Sequence, residues 1–228
     1  MTEYLVLALV APMGAFGDLA GHERRGSHYW PGRSALLGLI GGALGVRRDD
    51  SEGQAALASW RTAVSVLHAS EIWRDFHTVQ TVPSARIRRP EQRRAALEAL
   101  HRTDTGIITR REYSSDCAFG VALWGGELSP LDEALKRPAF TPYLGRRSCP
   151  LSAPMDPKVV TADNPADALA RVTLPPFLGI DPARPLLIAS DEGVGKGWTE
   201  TRWDNPLDRE AWHFGQRIVH LYRPEPDA

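Results

Sequence analysis

Hydrophobic residues along this chain fall partly in continuous runs and partly in alternating stretches, and the two predict different surroundings. Tyr4–Val10 is a continuous run that enters Pro12 and Gly14, which predicts a central strand buried on both faces. A polar stretch with Gly, His and Arg, from Gly17 to Gly32, predicts a loop. Ser34 is a suitable N-cap for a helix over Ala35–Val46, apolar on most sides. That helix carries Gly38, Gly41, Gly42 and Gly45, each costing up to about 1 kcal/mol relative to alanine. Gly38, Gly41 or Gly42, and Gly45 fall on one face, so close packing on a sheet is the simple compensation.

A short helix is expected over Gln54–Trp60, and strands over Thr62–His68 and Ile72–Val82. Arg86–Arg111 reads as a basic insert, with eight arginines against Glu91, Glu98 and Asp104. Its middle, Pro90–His101, predicts a helix, and its end, Ile107–Arg111, a strand. Cys117–Trp124 predicts another apolar strand. Ser129 and Pro130 predict the start of a helix reaching Lys136, and Ser148–Leu151 a further strand. Beyond Pro154, strands are expected at Leu186–Ala189 and Arg217–Tyr222. Through residue 151 the order is β-α-β, an insert, then β-α-β, which predicts an α+β, ferredoxin-like or RRM-like fold.

At 228 residues the chain can bury a substantial core, and 43% hydrophobic with 24% charged residues is a globular composition. The net charge of −1 demands no polyanion, but its distribution is uneven. Residues 1–154 hold 19 basic and 16 acidic side chains; residues 155–228 hold 8 and 12. That leaves a mildly basic body suited to a polyanion on one face. Arginine outnumbers lysine 24 to 3, which suits phosphate binding but fits a GC-rich genome better, given the many Ala, Gly and Pro residues. Cys117 and Cys149 lack metal-ligand spacing, so free thiols in a reducing cytoplasm are expected. The N-terminus has no basic n-region, and its apolar run is too short to span a bilayer.

The most informative stretch is Thr141–Pro150, TPYLGRRSCP. Gly145 permits positive φ or close backbone approach. Arg146 and Arg147 suit bidentate phosphate recognition, Ser148 adds a hydroxyl, and Tyr143 offers a face for a base. A tight turn with two solvated arginines is the alternative. Arg110, Arg111 and Tyr113 make a second basic strand end with an aromatic, suited to single-strand tracking or, equally, to a charge-blunted edge strand.

Other patterns fail. Gly193–Gly197 has Ser190 and Gly197 where a phosphate loop needs Gly and Ser or Thr. Leu36 stands where a nucleophile elbow after Gly32 and Ser34 needs glycine. Gly14, Gly17 and Gly21 have the wrong spacing for dinucleotide binding. The seven histidines form no metal pattern.

Four blocks occur in order: PGRSALLGLIGGALGVRRDD (Pro31–Asp50), DFHTV (Asp75–Val79), REYSSDCAFGVALW (Arg111–Trp124) and TPYLGRRSCPL (Thr141–Leu151). With the first strand running into Ala11-Pro12-Met13, they resemble the CasD family of type I-E CRISPR Cascade complexes, within the RAMP superfamily. The chain departs from the family pattern at Gly14 and Phe16, where glutamine and tryptophan are usual.

The resemblance, which covers roughly residues 4–151, implies an RRM-like (RAMP) palm over residues 1–82 and 107–154 and a basic thumb insert at 83–106; residues 155–228, with the strands expected there, read as a β-containing C-terminal extension whose fold the sequence leaves open. It implies a non-catalytic subunit that caps the 5′ handle of the CRISPR RNA and abuts the large subunit CasA and the backbone subunit CasC. It would meet target DNA through the assembled complex, with no cofactor and no membrane. Arg33, Ser34, Arg110, Arg111, Tyr113, Tyr143, Gly145, Arg146, Arg147 and Ser148 are the expected RNA contacts. The alternative is a metal-independent endoribonuclease, for which His28, Tyr29 and His77 are the candidate acid and base.

Overall fold

The computed structural model describes residues 1–21, 23–80, 92–98, 100 and 106–224. The elements are β1 (Thr2–Gly14), β2 (Phe16–Ala20), β3 (Arg24–His28), α1 (Arg33–Leu44), α2 (Ser51–Ala58), β4 (Arg61–Val66), β5 (Ile72–Val79), α3 (Arg93–Glu98) and β6 (Ile107–Trp124). They continue with α4 (Leu128–Lys136), β7 (Lys158–Ala162), α5 (Pro165–Leu169), β8 (Leu187–Ser190), β9 (Trp198–Asp208) and β10 (His213–Tyr222).

All the described strands join one sheet, and β6 is its spine. The inner half of β6 lies between β1 and β4, both antiparallel to it. β7 adds to the far side of β1, and β8, β10 and β9 follow outward from β4. The outer half of β6 lies between β5, antiparallel, and β3, parallel. It forms a second tier that projects as an arm.

The continuous apolar run of β1 is explained by burial on both faces. Leu5, Leu7 and Leu9 pack with Leu36, Leu37 and Ile40 of α1, Leu57 of α2 and Leu131 and Leu135 of α4. Tyr4, Val6 and Ala8 pack on the opposite face with Ala168 and Leu169 of α5 and with Val172. The second face of the inner sheet is therefore roofed by protein.

Several expectations are corrected. The polar stretch from Gly17 to Gly32 holds the β2–β3 hairpin. Ser34 lies inside α1, whose N-cap is Gly32, and Ser129 lies inside α4, whose N-cap is Glu127. The α1 glycines do not line the sheet: a Cβ at Gly41 would crowd Leu57 of α2, one at Gly38 would meet Arg209, and Gly42 faces open space. Gly45 is the left-handed C-cap, at φ 79°. The two strands expected at Ile107–Arg111 and Cys117–Trp124 are one 18-residue strand. Ser148–Leu151 is a loop, with one bridge from Tyr143 to Pro150. β7 and β8, from beyond residue 154, join the same sheet, β7 on β1 and β8 on β4. Most of the 83–106 insert lies outside the described residues.

Candidate nucleic-acid interface

The arginine loop is a closed turn anchored in the core. Leu144 N–H donates to the Cys149 carbonyl (2.9 Å), and Cys149 N–H to that of Arg146 (2.8 Å). Leu144 and Cys149 are buried between them. Burial also pushes the Cys149 thiol pKa up, and that of Cys117 up to about 12, so both stay protonated. Ala15 N–H donates to the Leu144 carbonyl (3.1 Å), tying the loop to the end of β1. Gly145 is at φ 81°, and a Cβ there would overlap the Ala15 carbonyl. Glycine is required on both counts.

This closed turn directs Arg146 back over the sheet. Its guanidinium carbon lies 4.6 Å from the ring centroid of Tyr113, within cation–π range. Its Nη1 is buried, with no hydrogen-bond partner among the described residues. Arg111 stands two residues before Tyr113 on β6, hence on the same face, and its Nε is likewise buried and unpartnered. The register places Arg25 beside Arg111 and Trp73 opposite Tyr113. Asp75 lies opposite Arg111, but its carboxylate sits 2.8 Å from the His77 Nε2 instead.

The other face of the arm is electrostatically closed. Glu112 is buried and accepts from Arg74 (2.9 Å) and Arg24 (3.0 Å). The Arg74 hydrogen bond, opposed by burial and helped by the Arg24 charge, holds its carboxyl below the usual glutamate range. Arg110 is on this face, 5.9 Å from the Phe76 ring.

The expected RNA contacts therefore separate. Arg111, Tyr113, Gly145 and Arg146 come together. Arg147 and Ser148 are exposed on the same loop, and Tyr143 is exposed at its base. Arg110 faces away. Arg33 belongs to a different site: its guanidinium donates to Asp191 (2.9 Å), the carbonyls of Trp60 (2.6 Å) and Ala58 (2.9 Å), and Asn205 (3.1 Å). It is only 9% exposed, so it holds the fold and does not reach for a ligand. Ser34, beside it, accepts from Arg209 through its carbonyl (2.7 Å).

Trp73 was not among the expected contacts; its place opposite Tyr113 depends on strand register, which no local pattern carries. Of the nuclease candidates, the two histidines are not brought together. His77 lies opposite Thr109 on one flank of β6. His28, three residues past Arg25, lies on the other flank and about 16 Å further along the strand. An acid and base sharing one phosphate need hydrogen-bond reach of it. Among the described residues no cluster of His, Cys, Asp and Glu could hold a metal, and no helix is long and apolar enough to cross a membrane.

A family model described as CRISPR-associated protein (Cas_Cas5) matches residues 4–220. The chain is 36% identical over 242 residues to the CRISPR system Cascade subunit CasD of Escherichia coli (strain K12), covering 100% of this chain and 99% of that one. Its fold is similar to a chain of a solved CRISPR RNA-guided surveillance complex, with TM-score 0.69 and 24% identity over 96% of this chain and 89% of that one. It is also similar to a solved Cas protein, with TM-score 0.62 and 23% identity over 96% and 94% of the two chains.

Proposed function

We propose that this chain, which belongs to the Cas5 family of CRISPR-associated proteins, is a non-catalytic subunit of a type I-E Cascade complex that caps the 5′ handle of the CRISPR RNA. Membership of such a complex is supported by the full-length match to CasD. The single observation that carries the RNA role is the pair of buried, unpartnered guanidinium donors of Arg111 and Arg146 around Tyr113. Buried arginine N–H groups without acceptors are costly, and phosphate oxygens are the acceptors their geometry suits. Arg147, Ser148 and Tyr143 extend the same surface outward.

The order β1-α1-β4-β6-α4-β7, with β7-β1-β6-β4 side by side, supports a ferredoxin-like palm of the RAMP type. RNA does not lie across the open face such palms often use, because α5 and its neighbours cover it here. It binds instead where the arginine loop meets the arm. The resemblance to CasD supports CasA and CasC as neighbours, contact with target DNA through the assembly, and a cytoplasmic location.

The test is binding of a labelled single-stranded RNA carrying the repeat-derived 5′ handle, titrated with salt. The Arg111→Ala, Arg146→Ala double variant is expected to bind about tenfold or more weakly, with the salt slope shallower by about one unit per lost phosphate contact. Unchanged affinity and slope would overturn the assignment.

A further inference from the structure

We propose that Trp73 is the platform on which an unpaired base of the bound RNA stacks; this rests on the RNA-binding reading of the same site. Trp73 and Tyr113 are cross-strand partners on one face of the β5–β6 arm, with ring centroids 6.0 Å apart and planes tilted by 41°. Tyr113 is buried at 8% exposure and already carries the Arg146 guanidinium. Trp73 is 47% exposed and is the open member of the cluster.

An exposed indole by itself means little. What distinguishes this one is the company it keeps. Arg111 and Arg146 flank its partner ring with unpartnered donors, so a flat apolar surface adjoins cationic groups that lack acceptors. That pairing of chemistries matches one nucleotide of a single strand, with base on ring and phosphate on guanidinium. Trp212, also exposed, already carries Arg48 over its ring at 4.6 Å. Trp203 is 67% exposed and has no ring contact among the described residues, which makes it the natural control. A stacking contact reads a π-face and not a hydrogen-bonding edge, so the platform tolerates every base.

The experiment uses the full chain and the labelled handle RNA, with a single abasic nucleotide moved through it position by position. With wild-type protein, one abasic position is expected to weaken binding by roughly 5- to 100-fold. Trp73→Ala should lose a similar factor with intact RNA and lose nothing further at that position. Trp73→Phe should restore most of the affinity, Trp203→Ala should change nothing, and all three should keep the wild-type salt slope. Far-ultraviolet circular dichroism and thermal midpoints establish that each variant is folded. Wild-type affinity in Trp73→Ala, or an abasic penalty that persists in it, overturns the platform alone and leaves the indole to a protein partner. Absence of RNA binding by wild type, or indifference to Arg111 and Arg146, overturns the parent reading and the platform with it.

Discussion

Arg33 is buried and Arg217 largely so, and each meets a carboxylate; Arg111 and Arg146 have buried donor nitrogens, and among the described residues neither does. Arg33 pairs with Asp191 (2.9 Å), and Arg217 pairs with Asp191 (2.8 Å) and grips both oxygens of Asp204 (2.6 and 3.0 Å). Asp204 also accepts from the Arg33 main-chain N–H (2.8 Å), and Asp191 from that of Thr62 (2.7 Å). This network ties the start of α1 to β9 and β10, two distant parts of the chain. The arm around Tyr113 presents the same residue type with the acids withheld or, in Asp75, turned to a histidine. A guanidinium taken from water needs compensation. In the first cluster the protein supplies it; in the second, on the proposed RNA-binding reading, a ligand would. Arginine count and charge are the same kind of signal in both places, and only the surrounding acceptors separate structure from binding.

The largest expected effect tests that separation directly. Arg217→Ala removes an ion-pair partner from two partly buried carboxylates, Asp191 and Asp204, and is expected to cost about 3 kcal/mol in urea unfolding at neutral pH. Arg146→Ala is expected to change stability by less than about 0.5 kcal/mol, or to raise it, because an uncompensated buried donor is removed. Equal losses in the two variants would break the comparison.

An intermediate effect is expected where the loop is fixed. Gly145→Ala adds a Cβ against the Ala15 carbonyl at a positive φ. A loss of about 1–3 kcal/mol in the unfolding free energy is expected, together with weaker handle binding because Arg146 leaves Tyr113. Wild-type stability with wild-type binding would show that the turn is not what aims Arg146.

How much of this was readable in the sequence follows the same division. β1 announced itself because both of its faces are buried. The arginine loop stood out as a run of local chemistry, and Gly145 was singled out for the backbone freedom it turns out to need. β6 looked like two strands because Glu112–Asp116 is polar, and the polarity has a non-local cause: Glu112 answers Arg24 and Arg74 from neighbouring strands. The β2–β3 hairpin was hidden by glycines and charges, with little apolar alternation to mark it. Nothing local marks Arg33 as a network arginine, because its acid, Asp191, is 158 residues away in sequence. Trp73 is silent in the sequence for the same reason, since only strand register sets it beside Tyr113. Local periodicity conveys burial, but partnership between charges is a property of the fold.

The smallest expected effect is in the acid limb of the stability profile. Burial pushes the Asp204 carboxyl up, but the Arg217 hydrogen bonds and charge, with the Arg33 main-chain N–H, outweigh it and hold the group below the usual aspartate range. A depressed carboxylate contributes stability that is fully present above its unfolded value, about pH 4, and is lost as pH falls through the folded one. Urea unfolding between about pH 5 and pH 2 should therefore show stability falling on acidification, and Asp204→Asn should flatten that fall while lowering the plateau above it. Glu112→Gln should flatten it in the same sense, since the Arg74 hydrogen bond, helped by the Arg24 charge, lowers that carboxyl despite burial. Arg111→Ala and Arg146→Ala should leave the slope of the acid limb untouched, because no carboxylate among the described residues pairs with either guanidinium. A steeper or shallower limb in those two variants would reveal an acid at the binding site and collapse the distinction between the two arginine clusters.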